Sequence, residues 1–471
     1  MRLRIRDVAF AVSDCSTRLP FRFGISTMTW APTLTARVEL ESEAGSAVGF
    51  SADLLVPKWF EKDPSKSIEE DVRGLMASAQ AAAACYRAAP EATAFDLWHG
   101  VYASRVLARP FDAPDRLLRG FGVALVERAM LDALCRAAGV SFFAALEQDL
   151  PGVRPEVLFP ELGADQRGWS LAADLPDAPA DSVALRHTVG LVDELRSDEV
   201  AVRIDDGRPE ALEEDIEAYG LSWFKLKLCG DAAIDLPRCL DFAEVVRAKA
   251  TPDWRVTVDG NEQFASAAGL ADFVEELARR DADLVARLEL IEQPLARTRS
   301  FEESERGGLA RLAEHAPVIL DEADHGPEAL VRALDLGYGG VSMKNCKGVL
   351  RALCARGLCA ARGAVQSAED LTNLGVLALH QDLATVAALG IGHVERNGHH
   401  YFPGLEHLPA GEAASALAEH PDLWTDQGRG PELRIEDGRL HLSSLQRPGY
   451  GYACDIAWAE RTPLEAWTTA R

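Results

Sequence analysis

Residues 223–231 read WFKLKLCGD, and the two lysines one residue apart in this otherwise apolar run decide how the chain is built. In a strand, alternate side chains share a face, so Lys225 and Lys227 point the same way. A strand apolar on both faces is buried, and a buried ammonium is costly unless paired. The same pattern of strand and helix recurs around this stretch. Apolar strand candidates cover 182–190, 223–229, 254–261, 288–294, 317–323, 339–345, 363–369 and 390–396. Helical stretches such as LPRCLDFAEVVRAKA and GLADFVEELARR separate most of them. Eight strands in βα alternation predict an α/β fold with a parallel sheet closed as a (β/α)8-type, TIM-like barrel over 151–404.

In such a barrel the chemistry sits at the C-terminal ends of the strands. Read in order, those ends carry Lys225 and Lys227, then Asp259, Glu292, Asp321 and Lys344. Each step is about one βα unit, on the order of 30 residues. Taken singly, each has a bland reading. An Asp after a strand is most often an N-cap or turn residue. Lys344 or Lys347 alone reads as a surface lysine, and Lys225 and Lys227 could snorkel out of the strand end. Glu322 competes with Asp321 for the inward position. The set is far less easily accidental: three carboxylates on consecutive strands, flanked by lysines on the strands before and after.

Three carboxylates converging in a barrel mouth repel one another unless a cation joins them. All-oxygen ligation suits Mg²⁺, or Mn²⁺ in its place. A lysine near a divalent ion and a second ammonium should have a lowered pKa and so can serve as a base. Together these parts suit removal of the proton α to a carboxylate, with the metal stabilising the enediolate.

The rest of the chain frames this barrel. Residues 1–60 are strand-like and 65–148 helical, which predicts an N-terminal α+β unit over 1–150. Within it RLPFRFGISTMTWAP (18–32) reads as a long loop; beyond it 151–181 reads as a linker or a Pro/Ala/Asp-rich insertion, and in the tail LRIEDGRLHLSSL (433–445) reads as a hairpin. The 471 residues carry 49 Lys+Arg against 74 Asp+Glu, a net charge of −25. That balance argues against nucleic acid or an anionic membrane as partner, while leaving room for a small carboxylate substrate in a locally cationic pocket. The nine cysteines form no CxxC pair and read as reduced thiols. The start MRLRIRDVAF reads as a strand rather than a signal peptide, and no apolar run is long enough for a membrane span. A cytoplasmic home is the expectation.

The stretches KLK (225–227), VDGN (258–261), IEQP (291–294), LDEA (320–323) and VSMKNCK (341–347) together resemble the enolase superfamily, specifically its muconate-lactonizing branch within the mandelate racemase/muconate lactonizing enzyme family. The resemblance extends over essentially the whole chain, including the ending PGYGYACD (448–455). It implies that 1–150 is a capping domain, that part of the tail, about 405–471, packs against it, and that the protein is a homo-oligomer. It further implies that Asp259, Glu292 and Asp321 hold Mg²⁺ and that Lys227 and Lys344 are opposed acid/bases. Lys225 would bind the substrate carboxylate and tune Lys227, and Asn261 would touch substrate or a metal-bound water. The family's capping role would fall on 19–31, with Phe21, Phe23 and Trp30, and on the segment around Trp59. His187, Thr188, Glu322 and Glu395 are further candidates for substrate contact, and His393, Arg396, His399 and His400 read either as contacts or as a structural corner.

The chain departs from the family pattern in three places. The sixth-strand motif continues KGVL without the usual paired glycines, the chain is longer than typical members, and HVERNGHHYFPG (393–404) is unusually polar. The implied activity is that of a racemase or epimerase, a cycloisomerase, or a related lyase. One alternative is an acid-sugar dehydratase of the mandelate racemase type, which is weakened because Lys344 holds the sixth-strand place and AVQSAED (364–370) offers no seventh-strand histidine. An alternative of another class is a catalytically silent barrel that binds a ligand or serves as a scaffold.

Overall fold

The structure is a computed structural model that describes residues 1–164 and 170–468. It opens with five strands: β1 (Arg2–Ser13), β2 (Ser16–Phe23), β3 (Ser26–Trp30), β4 (Thr33–Ser42) and β5 (Gly45–Leu54). β1, β4 and β5 form an antiparallel sheet, and the short β6 (Ala92–Thr93) pairs with the start of β1. The stretch 18–32, expected to be a loop, is instead largely the antiparallel hairpin β2–β3, with Phe21 opposite Met28. Gly24 at φ +48 supplies the left-handed residue that the tight turn needs.

Two long helices cover this sheet. Ile68–Ala88 starts on a capping box, in which the Glu70 amide donates to Ser67 Oγ (3.2 Å) and the Ser67 amide donates to Glu70 Oε2 (2.7 Å). The helix Arg116–Ala138 is buried nearly all round, its charged Arg116, Glu127, Arg128 and Asp132 included, because it is packed on almost every side. On one side Gly49 of β5 lets its backbone approach, since a Cβ there would lie 2.3 Å from the Ala129 carbonyl oxygen. On another, Glu127 Oε1 accepts from the Leu350 amide (2.5 Å), tying the helix to the barrel.

The barrel strands are β7 (Ser182–Val189), β8 (Trp223–Lys227), β9 (Arg255–Asp259), β10 (Leu288–Glu292), β11 (Val318–Leu320), β12 (Gly340–Met343), β13 (Val365–Ala368) and β14 (His393–Arg396). All eight expected strands are present. Neighbours in sequence pair in parallel, and β14 closes on β7 with Arg396 opposite His187. The 151–181 insertion contains two short helices, Glu161–Ala164 and Leu171–Asp174, and its residues 165–169 lie outside the described residues.

The tail holds β15 (Trp424–Asp426), β16 (Pro431–Leu433), β17 (Arg439–His441) and β18 (Thr462–Pro463). The expected hairpin at 433–445 is reduced to a tight turn with one antiparallel bridge, Glu436 to Arg439, and its flanking strands take other partners. β16 pairs with β15, whereas β17 lies antiparallel on the start of β7, which β8 has not yet joined. β18 pairs with β1, so the tail ends on the N-terminal sheet. All nine cysteines are free thiols, and no helix among the described residues is long and apolar enough to cross a membrane.

Candidate active site

Parallel register brings the predicted residues to one level. Lys227 lies opposite Asp259, and Asp259 opposite Glu292, so three neighbouring strands present these side chains on the same inward face. Asp321 follows the end of β11, and Lys344 follows the end of β12. The turn carrying Asp321 is held by the glutamine of the EQP motif. Gln293 Oε1 accepts from the amides of Asp321 (2.8 Å) and Ala323 (3.0 Å), while its Nε2 donates to the Leu295 carbonyl (2.7 Å) and Ser300 Oγ (3.0 Å). Asn261, Glu262 and Gln293 all have positive φ, a concentration of left-handed backbone at the ends of two adjacent strands.

The lysines interleave with the carboxylates. Lys227 Nζ donates to Asp259 Oδ2 (2.6 Å), and Lys344 Nζ donates to Asp321 Oδ2 (2.6 Å) with Glu292 Oε1 at 4.0 Å. Lys225 is fully buried and sits among four carboxylates: Glu292 (2.5 Å), Glu369 (2.9 Å), Glu395 (2.9 Å) and Asp259 (3.1 Å). Glu369 and Glu395 each accept a hydrogen bond from it, and Glu292 and Asp259 crowd its remaining N–H. In the structure Lys225 is thus engaged by protein carboxylates, where the resemblance assigns it the substrate carboxylate. Two residues deeper along the strand than Lys227, it gathers the carboxylates from beneath. Lys347 backs Asp321 from the other side (3.2 Å) and is fixed by the carbonyl (2.7 Å) and hydroxyl (2.9 Å) of Ser342.

The electrostatics follow from this packing. Burial pulls the Lys225 and Lys344 pKa values down, but the surrounding carboxylates outweigh it and hold both above the usual lysine range. Among the protein groups alone, Lys225 and Lys344 each face more carboxylate than ammonium; the lowered value expected from the sequence belongs to a site that also holds a divalent cation. Burial raises Asp321 and Asp259 too, yet their lysine partners win and hold both below the usual carboxylate range, Asp321 well below it. Glu292 goes the other way. Burial, then Asp259 and Glu369, push it well above the usual range, and Lys225 only partly offsets them.

The N-terminal unit reaches over this mouth. Phe21, Phe23, Val56 and Trp59 line one pocket with Lys227, Lys344, Asn261, Asp370, Thr372, Glu395 and Asn397. The Trp59 ring stands 4.6 Å from Lys344 Nζ. Lys62 donates to the Asn261 carbonyl (3.0 Å) and pairs with Glu262 (2.5 Å) and, more loosely, Glu322 (3.4 Å). Arg297 donates to the carbonyls of Trp59 (3.1 Å) and Phe60 (3.0 Å), locking this segment to the barrel rim.

Most of the other predicted residues find clear places. Asn261 donates from Nδ2 to Glu322 Oε1 (3.1 Å) and from its amide to Asp259 Oδ1 (2.8 Å). Glu322 thus turns toward Asn261 and Lys62, while Asp321 turns toward Lys344 and Lys347. Glu395 takes Thr188 Oγ1 (2.7 Å) and Lys225. Two expectations fail. Trp30 sits at the open end of the hairpin, stacked on Trp467 (6.4 Å), and does not line the pocket. His187 points out of the barrel, because strand alternation sends its neighbours Arg186 and Thr188 inward. Glu369, Arg186, Lys62 and Lys347 were missed. The period-2 pair Arg186 and Thr188 and the strand-end position of Glu369 in SAE were the available signals.

The donor set fits a divalent cation. Asp259, Glu292 and Asp321 offer only oxygens, and Glu292 Oε1 is buried without a hydrogen-bond donor. An unpartnered buried carboxylate oxygen is costly, and a hard cation removes that cost.

No family model matches the chain and no curated protein matches it. Solved structures do. An enolase from Bradyrhizobium complexed with magnesium and mandelic acid superposes with a TM-score of 0.59 at 16% identity, covering 97% of each chain. A muconate lactonizing enzyme from Pseudomonas fluorescens complexed with muconolactone gives 0.60 at 16% identity, over 96% of this chain and 97% of that one. A 2-chloromuconate cycloisomerase from Rhodococcus opacus gives 0.58 at 17% identity, again over 96% and 97%. At this identity the likeness establishes the fold: the chain has the barrel and N-terminal α+β unit of these proteins over nearly its full length.

Proposed function

We propose that the protein is a Mg²⁺-dependent enzyme of the enolase superfamily's muconate-lactonizing type, one that removes the α-proton of a small carboxylate substrate. The observation that carries this reading is the placement of Lys227 and Lys344. They stand on the second and sixth of eight barrel strands, diametrically opposed in a closed barrel, yet line the same pocket. Asp259, Glu292 and Asp321 would hold the metal between them. A divalent cation there supplies the positive charge against which an enediolate can develop.

The chain's own residues divide the remaining work. A Cα bound between the two lysines exposes one face to each, so one removes a proton and the other returns it to the opposite face, or one alone serves an elimination or cycloisomerisation. Lys225 keeps the carboxylates gathered and takes no part at Cα. Phe21, Phe23 and Trp59 close the pocket against water and meet the substrate's distal end. Racemisation or epimerisation, cycloisomerisation and β-elimination all start from this step. The magnesium, mandelic acid and muconolactone found with the similar structures support the same class.

The test is proton exchange. The protein is incubated with Mg²⁺ in D₂O against N-acyl amino acids, dipeptides, hydroxy acids and acid sugars, and Cα deuterium is read by NMR. Exchange that vanishes on chelation and returns with Mg²⁺ is the expected result. Tight ligand binding across the panel with no exchange would assign the barrel to a silent scaffold instead, and product formed only from acid sugars would assign it to a dehydratase.

A further inference from the structure

A second group of chemistry-bearing side chains lies outside the barrel wall. His187 on β7 faces outward onto the helix Leu212–Tyr219, which carries Asp215, and onto the short helix Gly398–Tyr401, which carries His400. All three are at most 3% exposed. His400 Nδ1 lies 3.0 Å and His187 Nε2 3.7 Å from Asp215 Oδ2, and one ligand atom from each residue falls within 4.8 Å of the other two.

Neither Asp215 oxygen accepts an aligned hydrogen bond, and neither does His400 Nδ1 make one, although all three atoms are buried. A carboxylate so placed needs a cation beside it. The fourth residue explains how His187 is oriented. Its Nδ1 lies 3.0 Å from His399 Nε2, and with Nδ1 as the donor the Nε2 lone pair faces Asp215. His400 can meet Asp215 as an Nδ1–H donor, which pairs the two, or through its Nδ1 lone pair; in the second form two imidazole nitrogens and a carboxylate turn to one point and repel unless they share an ion. The 3.0 and 3.7 Å separations bracket the edge of about 3.3 Å that tetrahedral Zn²⁺ sets between nitrogen and oxygen ligands. Two nitrogens and one oxygen suit Zn²⁺ rather than Mg²⁺, which prefers oxygen alone.

We propose that His187, Asp215 and His400 bind a transition-metal ion, Zn²⁺ foremost, at a structural site separate from the three carboxylates of the barrel mouth. His399 orients His187 from behind, as outer partners of metal-bound histidines do. The ion ties together the first barrel strand, the first barrel helix and the segment after the last strand, which is the seam where β14 closes on β7. It also braces the cover of the mouth. Arg18 Nη1 donates to the His400 carbonyl (3.0 Å), and the next residue, Tyr401, stacks on Phe21 at 4.3 Å. This site does not depend on the reaction proposed above.

The experiment silences the mouth first. In the full chain carrying Asp259→Asn, Glu292→Gln and Asp321→Asn, Co²⁺ is titrated while visible absorption is recorded, and zinc content is measured after purification. One equivalent of bound ion with the d–d bands of a low-symmetry site is expected, and adding His187→Gln or His400→Gln should abolish both. Absence of bound ion, or binding unchanged by those substitutions, overturns the proposal and leaves a His400–Asp215 ion pair. If the histidine variants do not fold, wild-type crystals grown with Zn²⁺ decide. An anomalous peak among the three side chains supports the site, and none there refutes it.

Discussion

Glu292 shows in one side chain what the mouth is organised to hold. Its Oε2 meets Lys225 while its Oε1 meets no donor, so Glu292→Gln should lower Mg²⁺ affinity by about tenfold or more, as loss of a metal's supporting group commonly does. Glu322→Gln should cost less, because Glu322 Oε1 already takes Asn261 and Lys62 and only its Oε2 is open. Calorimetric Mg²⁺ titration of Glu322→Gln beside Asp321→Asn separates the two neighbours that the sequence left open as third ligand. Behind the turn that follows Lys344, burial pushes the Glu127 carboxyl up to about 8. Between its unfolded value near 4.5 and that folded value, the unfolded chain has lost a proton that the folded one keeps. Stability therefore falls as pH rises across this window, by on the order of a few kcal/mol. Glu127→Gln should flatten the profile and be the more stable protein at alkaline pH, as urea unfolding at about pH 5 and about pH 9 can show. Parallel profiles would remove Glu127 from the account.

At the scale of single elements, the turn after β11 and the β2–β3 hairpin do the positioning. Gln293→Leu deprives two buried amides, those of Asp321 and Ala323, of their acceptor. A loss of about 2–4 kcal/mol in chemical unfolding is expected, with Mg²⁺ affinity falling as Asp321 drifts. The hairpin should act on substrate instead. Phe23→Ala is expected to raise KM while Mg²⁺ affinity stays unchanged, since Phe23 lines the pocket without touching the carboxylates. The hairpin was illegible as such in the sequence. Pro20, two closely spaced aromatics and Gly24 read as loop punctuation, and contacts far along the chain, such as Phe21 on Tyr401 and Arg18 on Asp206, give the strands their second side.

Across the whole molecule, the barrel was readable because its information repeats. One apolar strand and one polar residue at its end recur about every 30 residues, and a parallel closed sheet must bring such ends together. What failed to read depended on direction or on distant partners. His187 lies on the predicted strand, but which face it takes is set by Arg186 and Thr188 bonding inside. Lys225 shares a face with Lys227, yet two of its four carboxylates come from strands 7 and 8, whose glutamates Glu369 and Glu395 lie well over a hundred residues away. β17 pairs with β7 from the far end of the chain, which no local pattern announces. The closed barrel also sets the most direct test of the central claim, that two lysines approach one Cα from opposite faces. On a chiral substrate that exchanges in D₂O, Lys227→Ala and Lys344→Ala should each abolish deuterium incorporation from one enantiomer and spare it from the other, with the two variants showing opposite preferences. Equal loss from both enantiomers in either variant, or no loss in either, would contradict the opposed-lysine arrangement.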